Sequence, residues 1–292
     1  MRTILSCVAA ARTRLRDAGV PDIEAELDAR LLAQRALGWD AARLLASANE
    51  PASDSFLSAY NAYVARRANR EPMAYILGTQ EFWDLTFEVT PAVLIPRPET
   101  EIIVEATLQL FPDADAAVRI ADVGTGSGCL AVAIAHERRH ALLVATDLSA
   151  EALEVAGRNA QRHDVDGRIT FAQGDLLPAS LMARLQFHPL DLIVSNPPYV
   201  AESDRPSLQP EVRDYEPPAA LFGGLDGLTV ITRLVGEAAS QLRPGGYLIF
   251  EIGIGQEEPV RLLISSIQGL TMIDLRRDLQ GIPRTVIAQR AF

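Results

Sequence analysis

The chain is 292 residues long, 48% hydrophobic and 22% charged, which is enough for a sizeable core divided into one large and one small domain. A net charge of −11 argues against a broad grip on duplex nucleic acid. Cys7 and Cys129 are the only cysteines, so no disulfide framework is implied, and the 4 histidines show no metal-ligand spacing.

No run of about 18 apolar residues is present, so no membrane span is expected. Arg12, Arg14 and Arg16 interrupt the apolar character of the N-terminus, which argues against a signal peptide and for a cytoplasmic protein. All 27 basic residues are arginine. The acid excess lies beyond residue 75, and the first 75 residues are nearly neutral.

Residues 1–75 read as helical. Pro21-Asp22 opens a segment in which Ile23, Leu27 and Leu31 recur at helical spacing, and Gly38 stops it. A second segment, about 53–70, carries Phe56, Leu57, Tyr60 and Val64 on one face. No catalytic grouping occurs here, so this part is read as a substrate-recognition bundle or as a purely structural cap.

Residues 76–96 change character. Phe82, Leu85, Phe87 and Val89 are β-prone, Val93-Leu94-Ile95 follows Thr90-Pro91, and the stretch predicts a hairpin linking two domains. Pro96-Arg97-Pro98-Glu99-Thr100-Glu101 is a rigid turn feeding a helix to about Phe111. From Arg119 onward the pattern is strand alternating with helix. Strands are predicted at 119–123, 142–147, 169–173, 191–195, 246–252, 271–275 and 285–290. The fold class is therefore α/β, a doubly wound parallel sheet, and the last two strands, joined only through Gly281-Ile282-Pro283, suggest an antiparallel edge hairpin.

Chemistry gathers at the strand ends. The first strand runs into Asp122-Val123-Gly124-Thr125-Gly126-Ser127-Gly128, a glycine turn at a helix start that favours an anion. Cys129 stands where the dinucleotide fingerprint has its third glycine, which favours a carboxylate over a pyrophosphate. Asp147 closes the second strand, placed for ribose hydroxyls. Asp175 and Leu176 follow the third, placed for an adenine amino group and ring. The fourth ends in Asn196-Pro197-Pro198-Tyr199. There the Asn196 side-chain oxygen and the Pro197 carbonyl form an acceptor pair for both hydrogens of an –NH2 group, with the Tyr199 ring stacked on the plane that bears it. A bare Asn-Pro-Pro-Tyr also suits a proline turn, but with the upstream acids and glycines the set fits S-adenosyl-L-methionine and an amide or amine acceptor. Residues 200–225, with Glu211, Arg213, Tyr215 and Glu216, lack periodicity and read as a lid or recognition loop. A helix is predicted from about 226 to 242.

Taken together, the chain resembles the release-factor glutamine methyltransferase family, the protein-(glutamine-N5) methyltransferases, over nearly its whole length. The resemblance rests on residues 94–101, 122–128 and 196–199, on Tyr215-Glu216-Pro217 with Ala220-Leu221, on Gly224 with Asp226-Gly227, and on Glu251-Ile252-Gly253 with Gln256. It implies a seven-stranded, Rossmann-like class I methyltransferase domain over 97–292, a linking hairpin over 76–96 and a helical substrate-recognition domain over 1–75. Cofactor contacts carry over to Gly124, Thr125, Gly126, Ser127, Gly128, Asp147, Asp175, Leu176 and Asn196. Many members have an aromatic where Leu176 stands. Substrate contacts carry over to Asn196, Pro197, Pro198 and Tyr199, with Asn196, Pro197 and Tyr199 as the catalytic group and no metal. The implied substrate is the glutamine of the Gly-Gly-Gln motif in peptide chain release factors. The chain is expected to act as a monomer, without stable nucleic acid or membrane. A ribosomal-protein glutamine and a nucleic-acid exocyclic amine are the alternative acceptors.

Overall fold

The computed structural model describes residues 2–187 and 189–292, and their contacts divide into two units. The first comprises residues 1–78 together with 209–215, the second residues 79–208 and 216–292. None of the described helices is long and apolar enough to cross a membrane.

The first unit is helical. Helix α1 (Ile4–Asp17) starts at a capping box between Thr3 and Ser6 and buries Ile4, Cys7, Ala11 and Leu15. Helix α2 (Asp22–Leu37) ends at Gly38 in the left-handed conformation. Short helices α3 (Ala41–Ala46) and α5 (Met73–Leu77) flank α4 (Asp54–Ala68), which buries Phe56, Tyr60, Val64 and Arg67. The Tyr60 hydroxyl donates to the Ala29 carbonyl at 2.9 Å, so the ring is buried without an orphaned oxygen. The apolar stripe expected on α2 is not its packed face: Ile23 is 87% and Leu27 50% exposed. The buried stripe is Ala25, Ala29, Leu32 and Ala33, whose small side chains allow α1 and α4 to approach, with Asp28 beside it facing Arg67.

The second unit opens with an antiparallel hairpin, β1 (Thr79–Phe82) and β2 (Leu85–Glu88). Both turn residues, Trp83 and Asp84, have positive φ, the hand that matches strand twist. Val93–Ile95 is irregular chain rather than strand. A 3-10 turn over Pro98–Thr100 leads into α6 (Glu101–Leu110).

The alternation that follows is β3 (Arg119–Val123), α7 (Cys129–Glu137), β4 (Leu142–Asp147), α8 (Ala150–Arg162), β5 (Ile169–Gln173), α9 (Ala179–Leu185) and β6 (Leu190–Ser195). Residues 200–225, expected as an aperiodic loop, instead form a 3-10 turn at Glu202–Ser207 and two short helices, α10 (Pro210–Tyr215) and α11 (Pro218–Leu221). Pro206, Pro210, Pro217 and Pro218 cut the chain into pieces too short to show a period. Then come α12 (Thr229–Gln241), β7 (Leu242–Glu251), α13 (Glu257–Ser266), β8 (Leu270–Arg277) and β9 (Pro283–Arg290). Strand β7 begins earlier than expected because Leu242 already pairs with Leu190. The register then shifts, and regular pairing resumes at Tyr247.

The seven strands lie in the order β5-β4-β3-β6-β7-β9-β8. The first five are parallel, and β9 and β8 pair antiparallel at the edge. One face is covered by α6, α7 and Ala160 of α8, the other by α12, α13 and Met182 of α9. Strand order reverses between β3 and β6, so their carboxyl ends frame the crevice where such sheets bind ligands.

Candidate active site

A cavity in the second unit opens at that crevice. Its wall includes Gly124, Thr125, Gly126, Ser127, Asp147, Asp175, Leu176, Asn196 and Pro198, with Thr100, Ala220 and Arg233. The structure thus brings together residues from the ends of β3, β4, β5 and β6. Gly128, Pro197 and Tyr199 do not line it.

The glycine turn between β3 and α7 is shaped from beneath. Buried Asp122 accepts the Thr125 hydroxyl at 2.6 Å and the Ala131 amide at 3.1 Å on one oxygen. Its other oxygen has no partner among the described residues. Burial pushes this carboxyl up to about 7, with Thr125 and the Ala131 amide pulling the other way. Gly128 has φ +82°, and a Cβ there would stand 3.1 Å from that of Ala156 on α8. Asn159 of α8, fully buried, donates to Ser127 and Glu88 and accepts the Glu88 amide, tying the turn to the hairpin. The start of α7 therefore presents a preset concavity for a small anion.

At the end of β4, the Asp147 carboxylate accepts the Gly126 and Ser149 amides, both at 2.9 Å. Asp175 pairs with Arg233 at 2.8 Å on the surface. Leu176 has φ +61°, an uncommon conformation for leucine, and is 9% exposed at the cavity wall. An anion-binding cradle, an acid at the second strand end and an apolar wall at the third suit the carboxylate, ribose and adenine of S-adenosyl-L-methionine.

The stretch 196–199 is locked on every side. Ser195 donates to Val123 at 2.7 Å. Val200 pairs with the Leu221 carbonyl, and Gly223 with that of Val200. Gln256 accepts the Gly253 amide and donates to the Tyr199 carbonyl at 3.0 Å. A Cβ at Gly227 would sit 2.1 Å from that same carbonyl, so only glycine fits. Glu216, 3% exposed, accepts the Ile95 amide at 3.1 Å and the Arg97 guanidinium, fixing the segment before α6.

Behind the cavity lies a polar group that motif reading does not assemble. Thr100 donates to Glu251 at 2.6 Å, the Asn196 amide nitrogen donates to Thr100 at 3.0 Å, and the Tyr199 hydroxyl donates to Glu251 at 2.8 Å. Burial raises the Glu251 carboxyl above its ordinary value, with Thr100, Tyr199 and Arg284 opposing. Among the described residues no donor engages the Asn196 side-chain oxygen or the Pro197 carbonyl. The signal for Thr100 and Glu251 was present in the motif segments 94–101 and 251–253, without a role attached. No group of His, Cys, Asp and Glu suited to a metal occurs among the described residues.

Two family models match: the PrmC N-terminal domain over residues 6–78 and the methyltransferase small domain over residues 100–209. The release factor glutamine methyltransferase of Geobacter sulfurreducens is 46% identical over 275 residues, 94% of this chain and 92% of that protein. That of Bradyrhizobium diazoefficiens is 43% identical over 95% of this chain and 91% of that protein. Among solved structures, the hMettl16 catalytic domain in complex with MAT2A 3'UTR hairpin 6 matches with a TM-score of 0.56. That match covers 79% of this chain and 82% of that one at 15% identity, and shows the fold alone.

Proposed function

The chain belongs to the release factor glutamine methyltransferase family, enzymes of the Rossmann-like class I fold, and from this we propose how its site works. The protein binds S-adenosyl-L-methionine in the cavity of the second unit and methylates the side-chain nitrogen of the glutamine in the Gly-Gly-Gln motif of release factors. One observation carries the reading: Asn196, at the end of β6, shares a cavity wall with the glycine turn and Asp147.

The turn 124–128 and the start of α7 receive the cofactor carboxylate, Asp147 the ribose, and Asp175 and Leu176 the adenine. The bound cofactor supplies an activated methyl on a sulfonium. The acceptor amide is a poor nucleophile because its lone pair is delocalised, so positioning decides the rate. The Asn196 oxygen and the Pro197 carbonyl accept its two N–H bonds and stabilise positive charge growing on nitrogen, and Tyr199, behind the cavity wall, is held by its bond to Glu251. The nitrogen gains the methyl and loses one proton, which leaves readily from a methylated amide cation without a strong base.

The helical unit is assigned to recognition of the release factor. Its lack of a catalytic grouping and its near-neutral charge within an acidic chain support that role.

The test is mass spectrometry of a release factor incubated with the protein and S-adenosyl-L-methionine. A gain of one methylene on the Gly-Gly-Gln glutamine is expected. No gain, with cofactor binding intact, would overturn the substrate. A lower KM for intact release factor than for a short Gly-Gly-Gln peptide is the result expected of a recognition unit.

A further inference from the structure

We propose that Thr100 and Glu251 are positioning residues that set which end of the Asn196 carboxamide faces the substrate. The inference deepens the reading above and rests on its use of Asn196 as an acceptor.

A carboxamide has an accepting and a donating end of nearly equal size. Only the accepting end can hold the N–H of an acceptor amide; the donating end would oppose it. Nothing in the shape of asparagine selects one over the other, so a fixed partner must.

That partner is Thr100, 1% exposed, with its hydroxyl 2.6 Å from one Glu251 oxygen and 3.0 Å from the Asn196 nitrogen. A hydroxyl carries one proton and accepts through its lone pairs. Glu251, also 1% exposed, receives Thr100 on one oxygen and Tyr199 on the other. Both Glu251 oxygens act as acceptors in this arrangement, so the Thr100 proton is committed to one of them. Thr100 then meets Asn196 with lone pairs alone. The –NH2 end must turn inward, and the oxygen is left for the cavity that Asn196 lines. In the flipped amide, two acceptors would face each other at the buried Thr100 hydroxyl.

The two residues come from distant parts of the chain, Thr100 from the turn before α6 and Glu251 from the end of β7. Their meeting behind the site ties the Pro-Arg-Pro-Glu-Thr-Glu segment to the Glu-Ile-Gly segment through one hydrogen-bonded line.

The test uses the full-length protein and the variants Thr100→Val, which keeps the shape and removes the hydroxyl, and Thr100→Ser, which restores it. The Asn196 side-chain amide signals are assigned in a 15N spectrum by their loss in Asn196→Ala. Protection of these protons from solvent exchange is expected in wild type and Thr100→Ser, and at least about a tenfold loss in Thr100→Val. Equal protection in all three overturns the inference, whatever the substrate proves to be. In methyl transfer, Thr100→Val should lower kcat about 10- to 100-fold with Thr100→Ser near wild type. Thr100→Val and Glu251→Gln act through one group, so their effects on kcat should not add. A wild-type protein that leaves release factors unmodified fails the functional reading alone. A wild-type protein that modifies them equally well as Thr100→Val fails this inference alone.

Discussion

Arg67 and Glu211 stand 144 residues apart in sequence and meet at 2.6 Å inside the helical unit. Arg67, with only 4% of its side chain exposed, also binds Asp28 at 2.6 Å, while Arg70 grips Glu211 from the other side. Burial raises the Asp28 carboxyl, against the pull of Arg67. Burial works against Glu211 as well, yet its bonds from Arg70 and Arg67 hold it below the ordinary carboxylate range. Removing Arg67 leaves Asp28 buried without its partner. Arg67→Met is expected to lower the stability of this unit by about 3–5 kcal/mol. Hydrogen exchange at the buried amides of α2 and α4 reads it, and unchanged exchange would sink the idea. Adding Asp28→Leu should restore much of the loss.

Asp122 gives a pH signature of the opposite sign to most carboxylates. Its folded value, about 7, lies above the ordinary 3.8. Between the two, the unfolded chain has released a proton that the folded chain keeps, so stability falls as pH rises through this window. Below 3.8 both forms are protonated and the penalty vanishes. Asp122→Asn, without cofactor, is therefore expected to be more stable than wild type at pH 8, with the difference fading towards pH 4. Urea midpoints across that range check it. A constant difference would mean that the effect comes from packing.

Much of the sheet is legible in the sequence because the strands are β-prone runs, several of them ended by glycine or an acid. The edge hairpin is legible because only a short connection separates its strands. Asn196, Asp147 and the glycine turn are legible because each sits at a strand end, where local residues alone mark the place. Thr100 and Glu251 are not, since their meaning lies in a contact spanning 151 residues. The packed face of α2 is hidden for another reason. Alanines there let α1 and α4 approach, while the larger Ile23 and Leu27 face outward. The Trp83-Asp84 turn carries no glycine to announce its two positive φ values.

Asp147 holds the glycine turn through the Gly126 amide and is the proposed ligand of the cofactor ribose. Asp147→Asn keeps the shape and removes the charge. Affinity for S-adenosylhomocysteine should fall about 10- to 100-fold by calorimetry, the value of a charged hydrogen bond or two. Turnover at saturating cofactor should stay near wild type. Full retention of affinity would remove Asp147 from the cofactor site.

In the proposed mechanism, Asn196 separates binding from chemistry. Its nitrogen donates to Thr100, which leaves its oxygen for the cavity. That oxygen matters most as the acceptor nitrogen becomes positive, which happens only on the way to the transition state. Asn196→Ala is expected to lower kcat about 100- to 1000-fold, as for loss of one preorganised group opposite developing charge. Cofactor affinity should change by less than about tenfold, because most of the proposed cofactor contacts lie on other strand ends. Single-turnover rates at saturating cofactor, set beside calorimetric binding, distinguish the two. Turnover near wild type would show that the acceptor amide is held elsewhere. A loss of binding as large as the loss of rate would make Asn196 a cofactor residue first.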